Sequence, residues 1–97
     1  MATSLSTHVL DTAIGRPVSG VRVSLYRGTE LIARGETDAG GRINGLGDDL
    51  AAGSYRLLFA VKGPFFEEVA LQVRLEDGHY HVPLLVTPFG CVTYRGS

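Results

Sequence analysis

The chain has 97 residues, nine Lys and Arg against ten Asp and Glu, a formal net charge of −1 and 44% hydrophobic residues. That length implies one domain, 1–97, burying roughly 60–65% of the surface its unfolded chain exposes, and so apolar a small unit is expected to hide surface against further subunits. The near-neutral charge offers no field to draw in nucleic acid or an anionic membrane, so neither is an expected partner.

No apolar run approaches the ~20 residues that span a bilayer, and the first residues lack the basic and apolar regions of a signal peptide. A cytoplasmic protein is expected. The lone cysteine, Cys91, has no partner for an internal disulfide and reads as a packed small residue.

Leu5, Thr7, Val9 and Asp11 alternate with Ser6, His8 and Leu10, a period of two that predicts a strand with His8 and Leu10 on one face. Gly15-Arg16-Pro17 forces a turn. Val21 to Tyr26 alternates again as a half-buried strand, and Arg27-Gly28-Thr29 closes a hairpin into a third strand, Glu30 to Glu36. The turn chemistry of Thr37-Asp38-Ala39-Gly40-Gly41 then sets Arg42 at the head of a short strand, Arg42 to Gly45. Gly47 to Gly53 is a polar loop with room for one helical turn.

Ser54 to Lys62 carries the richest apolar face, Tyr55, Leu57, Phe59 and Val61, and reads as a central strand. Lys62-Gly63-Pro64 turns the chain into Phe66 to Leu75, and Glu76-Asp77-Gly78 makes the next hairpin. His79 to Val86 and Val92 to Arg95, joined through Thr87-Pro88-Phe89-Gly90, complete about eight short strands with no competing helical period. An all-β, antiparallel β-sandwich follows. Val82-Pro83-Leu84-Leu85-Val86 is apolar on both sides, so the outer side calls for cover by another subunit. Pro83, lacking an N–H, calls for a bulge or an edge.

His8, His79 and His81 are the only histidines. Counting alone permits a three-histidine metal site, yet the His79/His81 pair is also the pattern of one exposed and one packed residue beside a turn, and no carboxylate is spaced to orient them. His79 reads as a turn residue, Arg42 as an ordinary charged strand residue, and Tyr94-Arg95-Gly96-Ser97 as a frayed tail. The last two strands, folded into a hairpin, would gather an imidazole, an arginine, a tyrosine and a free carboxylate. Such a set permits a hydrolytic or a binding site and names no substrate.

Thr7-His8-Val9-Leu10-Asp11 with Gly15-Arg16-Pro17, Thr37-Asp38 leading to Gly41-Arg42, His79-Tyr80-His81-Val82-Pro83-Leu84-Leu85 with Pro88-Phe89-Gly90, and Thr93-Tyr94-Arg95-Gly96-Ser97 together closely resemble the transthyretin-related family. Within it the resemblance is to the 5-hydroxyisourate hydrolases, and it runs from Leu5 to Ser97 in four blocks. It implies a transthyretin-like (prealbumin-like) sandwich and hydrolysis of 5-hydroxyisourate at the N1–C6 amide to 2-oxo-4-hydroxy-4-carboxy-5-ureidoimidazoline, with no metal or organic cofactor. It also implies a homotetramer, a dimer of dimers, with sites in the channel between dimers.

By the same resemblance His8, Arg42, His81 and Ser97 are expected to be catalytic, and His8, Arg42, Tyr94, Arg95, Gly96 and Ser97 to bind substrate. The hormone-carrying branch typically has lysine at His8, threonine at His81 and no Tyr-Arg-Gly-Ser end. The alternatives are a small-ligand carrier without turnover and a structural or adhesive sandwich. Relatives have a short helix in the connection that Gly63-Pro64 makes here, so that helix is expected to be reduced or absent.

Overall fold

The computed structural model describes residues 3–96. Nine strands follow in chain order: β1 (Thr3–Asp11), β2 (Arg16–Pro17), β3 (Arg22–Arg27), β4 (Glu30–Glu36), β5 (Arg42–Gly47), β6 (Gly53–Ala60), β7 (Val69–Leu75), β8 (Gly78–Val86) and β9 (Cys91–Thr93). The eight expected strands are all present, and β2 is a two-residue addition pairing with Leu10 and Asp11. One sheet runs β4-β3-β6-β7; the other runs β2-β1-β8-β9, with β5 also paired to β1.

Alternation in the sequence becomes burial. On β6, Tyr55, Leu57 and Phe59 are buried while Arg56 between them and Ser54 before them are exposed. They meet Val23, Leu25 and Leu75 of their own sheet and Leu5, Val9, Leu46, Val82 and Leu84 of the other in one core. Each fully buried Leu, Val or Phe contributes about 1.5–3 kcal/mol. Thr7 points inward as well, and its hydroxyl donates to the Val82 carbonyl at 2.6 Å, so its burial leaves no polar group unpaired.

One pair departs from the antiparallel pattern. β1 lies parallel to β8 over nine residues, from Thr3 opposite Gly78 to Asp11 opposite Val86. The remaining pairs are antiparallel. The parallel pair joins an early strand to a late one, and the intervening strands supply the long crossover it requires.

Several boundaries differ from the expected ones. Among the described residues the Gly47–Gly53 loop forms no helical turn: Asp49 adopts φ +52 and the Leu50 N–H donates to the Thr3 carbonyl at 2.9 Å. β7 starts at Val69 rather than Phe66, because the N–H groups of Lys62 and Gly63 donate to the carbonyls of Glu67 and Phe66 and hold that stretch in a tight loop. β9 ends at Thr93. Pro83 sits where the ladder breaks, between the Leu84–Thr93 pair and an isolated bridge from His81 to Gly96. Its carbonyl accepts from the Thr93 hydroxyl at 2.9 Å, so the missing N–H faces the side on which β9 has stopped pairing.

Candidate active site

Three strands of the β1 sheet deliver polar side chains to its outer surface. On β1, Ser4, Ser6 and His8 alternate with the buried Leu5, Thr7 and Val9. On β8, His79 and His81 alternate with Tyr80 and Val82 in the same way. Arg42 heads β5 directly opposite His8, and opposed residues share a face.

The turn before Arg42 is shaped by two residues. Asp38 Oδ1 accepts from the backbone N–H groups of Gly40 and Arg42, each at 2.9 Å. Gly41 adopts φ +76, and a Cβ there would lie 2.5 Å from the Val9 carbonyl oxygen, so only glycine fits. The Val9 N–H donates to the Gly41 carbonyl at 2.8 Å and ties the turn to β1 beside His8. His8 Nε2 donates to the Gly40 carbonyl at 2.9 Å. A carbonyl only accepts, so Nε2 carries a proton and the neutral ring keeps its lone pair on Nδ1.

His81 is held at three points. Its Nδ1 is 2.8 Å from Ser6 Oγ, and its backbone carbonyl accepts from the Gly96 N–H at 2.6 Å. A Cβ on Gly96 would come within 2.7 Å of His81 Cδ2, so the chain's last described residue packs on that edge of the ring. Burial lowers the His81 pKa from its ordinary 6.5, and the charges of His8, Arg42 and His79 lower it further. A neutral imidazole is favoured at neutral pH.

The expected tail residues part company. Gly96 lies against His81, whereas the Arg95 guanidinium stacks 4.1 Å from the ring centre of Tyr80, on the other face of β8, and reaches the His79 carbonyl at 3.4 Å. With Tyr94 it lines a groove of about 460 Å³ whose wall includes Leu71, Val73, Tyr80 and Val82. That groove contains none of His8, Arg42 and His81. Ser97 lies outside the described residues.

His79, expected as a turn residue, opposes Ser4 within the ladder and bonds to two hydroxyls, Ser4 Oγ at 2.7 Å and Ser6 Oγ at 2.9 Å. The alternation that sets His8 on one face of its strand also sets Ser6 there, and extended back by two residues it reaches Ser4; that is the signal for them. Among the described residues no three His, Cys, Asp or Glu gather so as to hold a metal ion. No helix among them is long and apolar enough to cross a membrane.

Known proteins share this fold. The model of the HIUase/Transthyretin family matches residues 5–96. The 5-hydroxyisourate hydrolase 2 of Rhizobium meliloti is 43% identical over an alignment covering 96% of this chain and 95% of that protein. That alignment spans 114 positions against a chain of 97, so the relative carries inserted residues. The solved structure of Klebsiella pneumoniae 5-hydroxyisourate hydrolase superposes with a TM-score of 0.93 at 36% identity, covering 98% of this chain and 99% of that one. Sea bream transthyretin in complex with thyroxine superposes with a TM-score of 0.88 at 30% identity, covering 95% of this chain and 93% of that one. A family match over nearly the whole length, a full-length relative and a shared backbone place the chain plainly: it belongs to the HIUase/Transthyretin family.

Proposed function

We propose that the chain is an enzyme that hydrolyses 5-hydroxyisourate, opening its six-membered ring at the N1–C6 amide. The observation that carries this reading is the meeting of His8, Arg42 and His81 on one sheet face, with the Gly96 backbone seated on His81. Water is a poor nucleophile at neutral pH, and a neutral imidazole is the group to activate it. His81, whose lowered pKa favours that form, takes the proton as water attacks C6. The developing oxyanion is met by the planar fork of Arg42. The C6–N1 bond then breaks, the departing nitrogen takes a proton from one of the two imidazoles, and the ring opens to a carboxylate and a ureido group. None of these steps calls for a metal or an organic cofactor.

By the family resemblance the Ser97 hydroxyl would join this site, and the stacking of Arg95 on Tyr80 would hold the segment before it. The site is built on an open sheet face, so a second copy is needed to close it over the substrate; the assembly is a homotetramer, a dimer of dimers, with sites between dimers. Leu85, outward on β8 and half-buried, lies on the face so covered. Cys91, expected as a packed small residue, is instead an exposed free thiol, which suits a reducing compartment, the cytoplasm.

The assay is the decay of ultraviolet absorbance of freshly generated 5-hydroxyisourate. Wild type accelerates the decay, His8→Ala and His81→Ala abolish most of it, and Arg42→Lys lowers it by about 2.7–4 kcal/mol of transition-state stabilisation. The likeness to a thyroxine-bound transthyretin makes a carrier the second reading. Saturable binding of the substrate with no faster decay than buffer would establish that one instead. A C-terminal extension beyond Ser97 should lower turnover while the melting temperature holds.

A further inference from the structure

The proposed reaction uses one nitrogen of His81, and the other is already engaged. The parallel register sets Ser4 opposite His79 and Ser6 opposite His81, and alternation puts all four on the outer face. The contacts zigzag between the strands: Ser4 Oγ to His79 Nδ1 at 2.7 Å, His79 Nε2 to Ser6 Oγ at 2.9 Å, Ser6 Oγ to His81 Nδ1 at 2.8 Å. Each imidazole nitrogen in this row except one, His81 Nε2, therefore meets a hydroxyl. Cδ2, the carbon next to Nε2, is the edge on which Gly96 packs.

We propose that Ser6 and His79 are positioning residues for His81, forming with Ser4 a hydrogen-bonded chain that holds its imidazole by Nδ1 and leaves Nε2 to the reaction. The proposal rests on the hydrolase reading above.

A hydroxyl has one proton to donate and a neutral imidazole has one N–H. Ser6 is buried, so water has little access to supply a substitute partner. The row is fully satisfied in two directions only. In one, Ser6 donates to His81 Nδ1 and the ring's proton sits on Nε2. In the other, His81 Nδ1–H donates to Ser6, Ser6 donates to His79 Nε2, and His79 Nδ1–H donates to Ser4. The second direction leaves a lone pair on His81 Nε2, which is what a general base needs.

When that lone pair takes a proton from water, one O–H bond breaks, one N–H bond forms and the ring becomes a cation. The Nδ1–H bond to Ser6 is then already in place and strengthens with the charge. To change which nitrogen of His81 is protonated, the Ser6 hydroxyl must rotate and His79 must change its own tautomer. His79 thus acts on His81 without touching it.

The test uses the full chain labelled with ¹⁵N in its imidazoles. Two-bond proton–nitrogen correlation spectra should give wild-type His81 as one tautomer, Nδ1–H. Ser6→Ala and His79→Phe should each produce a mixture at His81 and lower kcat roughly tenfold, about one neutral hydrogen bond's worth, with KM within about twofold. His79→Gln, which keeps a polar end for Ser6, should recover most of the loss. An unchanged His81 tautomer and kcat in both Ser6→Ala and His79→Phe, with His81→Ala inactive, would overturn the chain and leave the hydrolase site standing. Wild-type turnover in His81→Ala would instead overturn the site, and the spectra would still decide whether the hydrogen-bonded row exists.

Discussion

The two sheets use the same alternation on their inner faces and opposite strategies on their outer ones. The β4-β3-β6-β7 sheet spends its outer face on isolated contacts: Arg34 donates to Ser24 at 3.0 Å, Arg56 lies 5.0 Å from the Tyr26 ring centre, and Gln72 donates to Ser54 at 3.1 Å. Each of these pairs stands alone, and isolated surface contacts of this kind contribute little. The outer face of β1, β5 and β8 instead joins its polar groups to one another and to the Asp38–Gly41 turn. The difference teaches that a sandwich needs only the inner faces to fold, so one outer face is free to hold chemistry.

The sharpest test of that division is a crossed pair. Phe59→Ala, in the core beneath the plain sheet, should cost about 3–5 kcal/mol of stability while the remaining folded protein keeps its turnover. His81→Ala should do the reverse, losing about 10²–10⁴-fold in rate with a melting temperature close to wild type. Thermal unfolding monitored beside the absorbance assay reads both; a matching loss of stability in His81→Ala would break the comparison.

Gly41→Ala blurs the division on purpose. It forces a Cβ onto the Val9 carbonyl at a positive φ, so about 1–3 kcal/mol of stability and part of the turnover should fall together as Arg42 shifts. A variant that loses stability but keeps full activity would show that the turn does not position Arg42.

The pH dependence sharpens it further. The folded His81 pKa lies below 6.5, through burial first and then the charges of His8, Arg42 and His79. The unfolded chain therefore binds more protons as pH falls through 6.5, so stability from this group is complete above that value and declines as pH drops below it. The acid limb of kcat should have its midpoint below 6.5, and the ring-proton titration of His81 should rise toward 6.5 in Arg42→Met. The smallest effect belongs to the plain face: Arg56→Ala should change stability by no more than about 0.5 kcal/mol and turnover not at all.

Much of the fold was legible because strand pleating is local. The period of two in Leu5 to Asp11 and in Tyr55 to Val61 sorts side chains to faces whatever the strand pairs with. The catalytic candidates His8, Arg42 and His81 were legible through the resemblance of their motifs. Ser4 and Ser6 are not legible as site residues, because a serine on a strand has no chemistry until something faces it, and His79 reads as a turn residue until the register sets Ser4 opposite it. The start of β7 departs from the expected one for a related reason: Phe66 is apolar, but it is out of phase with Val69, Leu71 and Val73, and the backbone bonds of Lys62 and Gly63 hold it in a loop.

By itself the sequence determined which residues lie inside, which share a face with His8, and that the chain is a sandwich of short strands. Only the tertiary structure decided that β1 lies parallel to β8, and in which register. Ser6 and His81 are 75 positions apart, and no local pattern links them. What brings them together is the packing of Leu5 and Val9 with Val82 and Leu84 on the buried side. A slip of one residue would expose that core, whereas a slip of two would preserve every face and still part each hydroxyl from its imidazole.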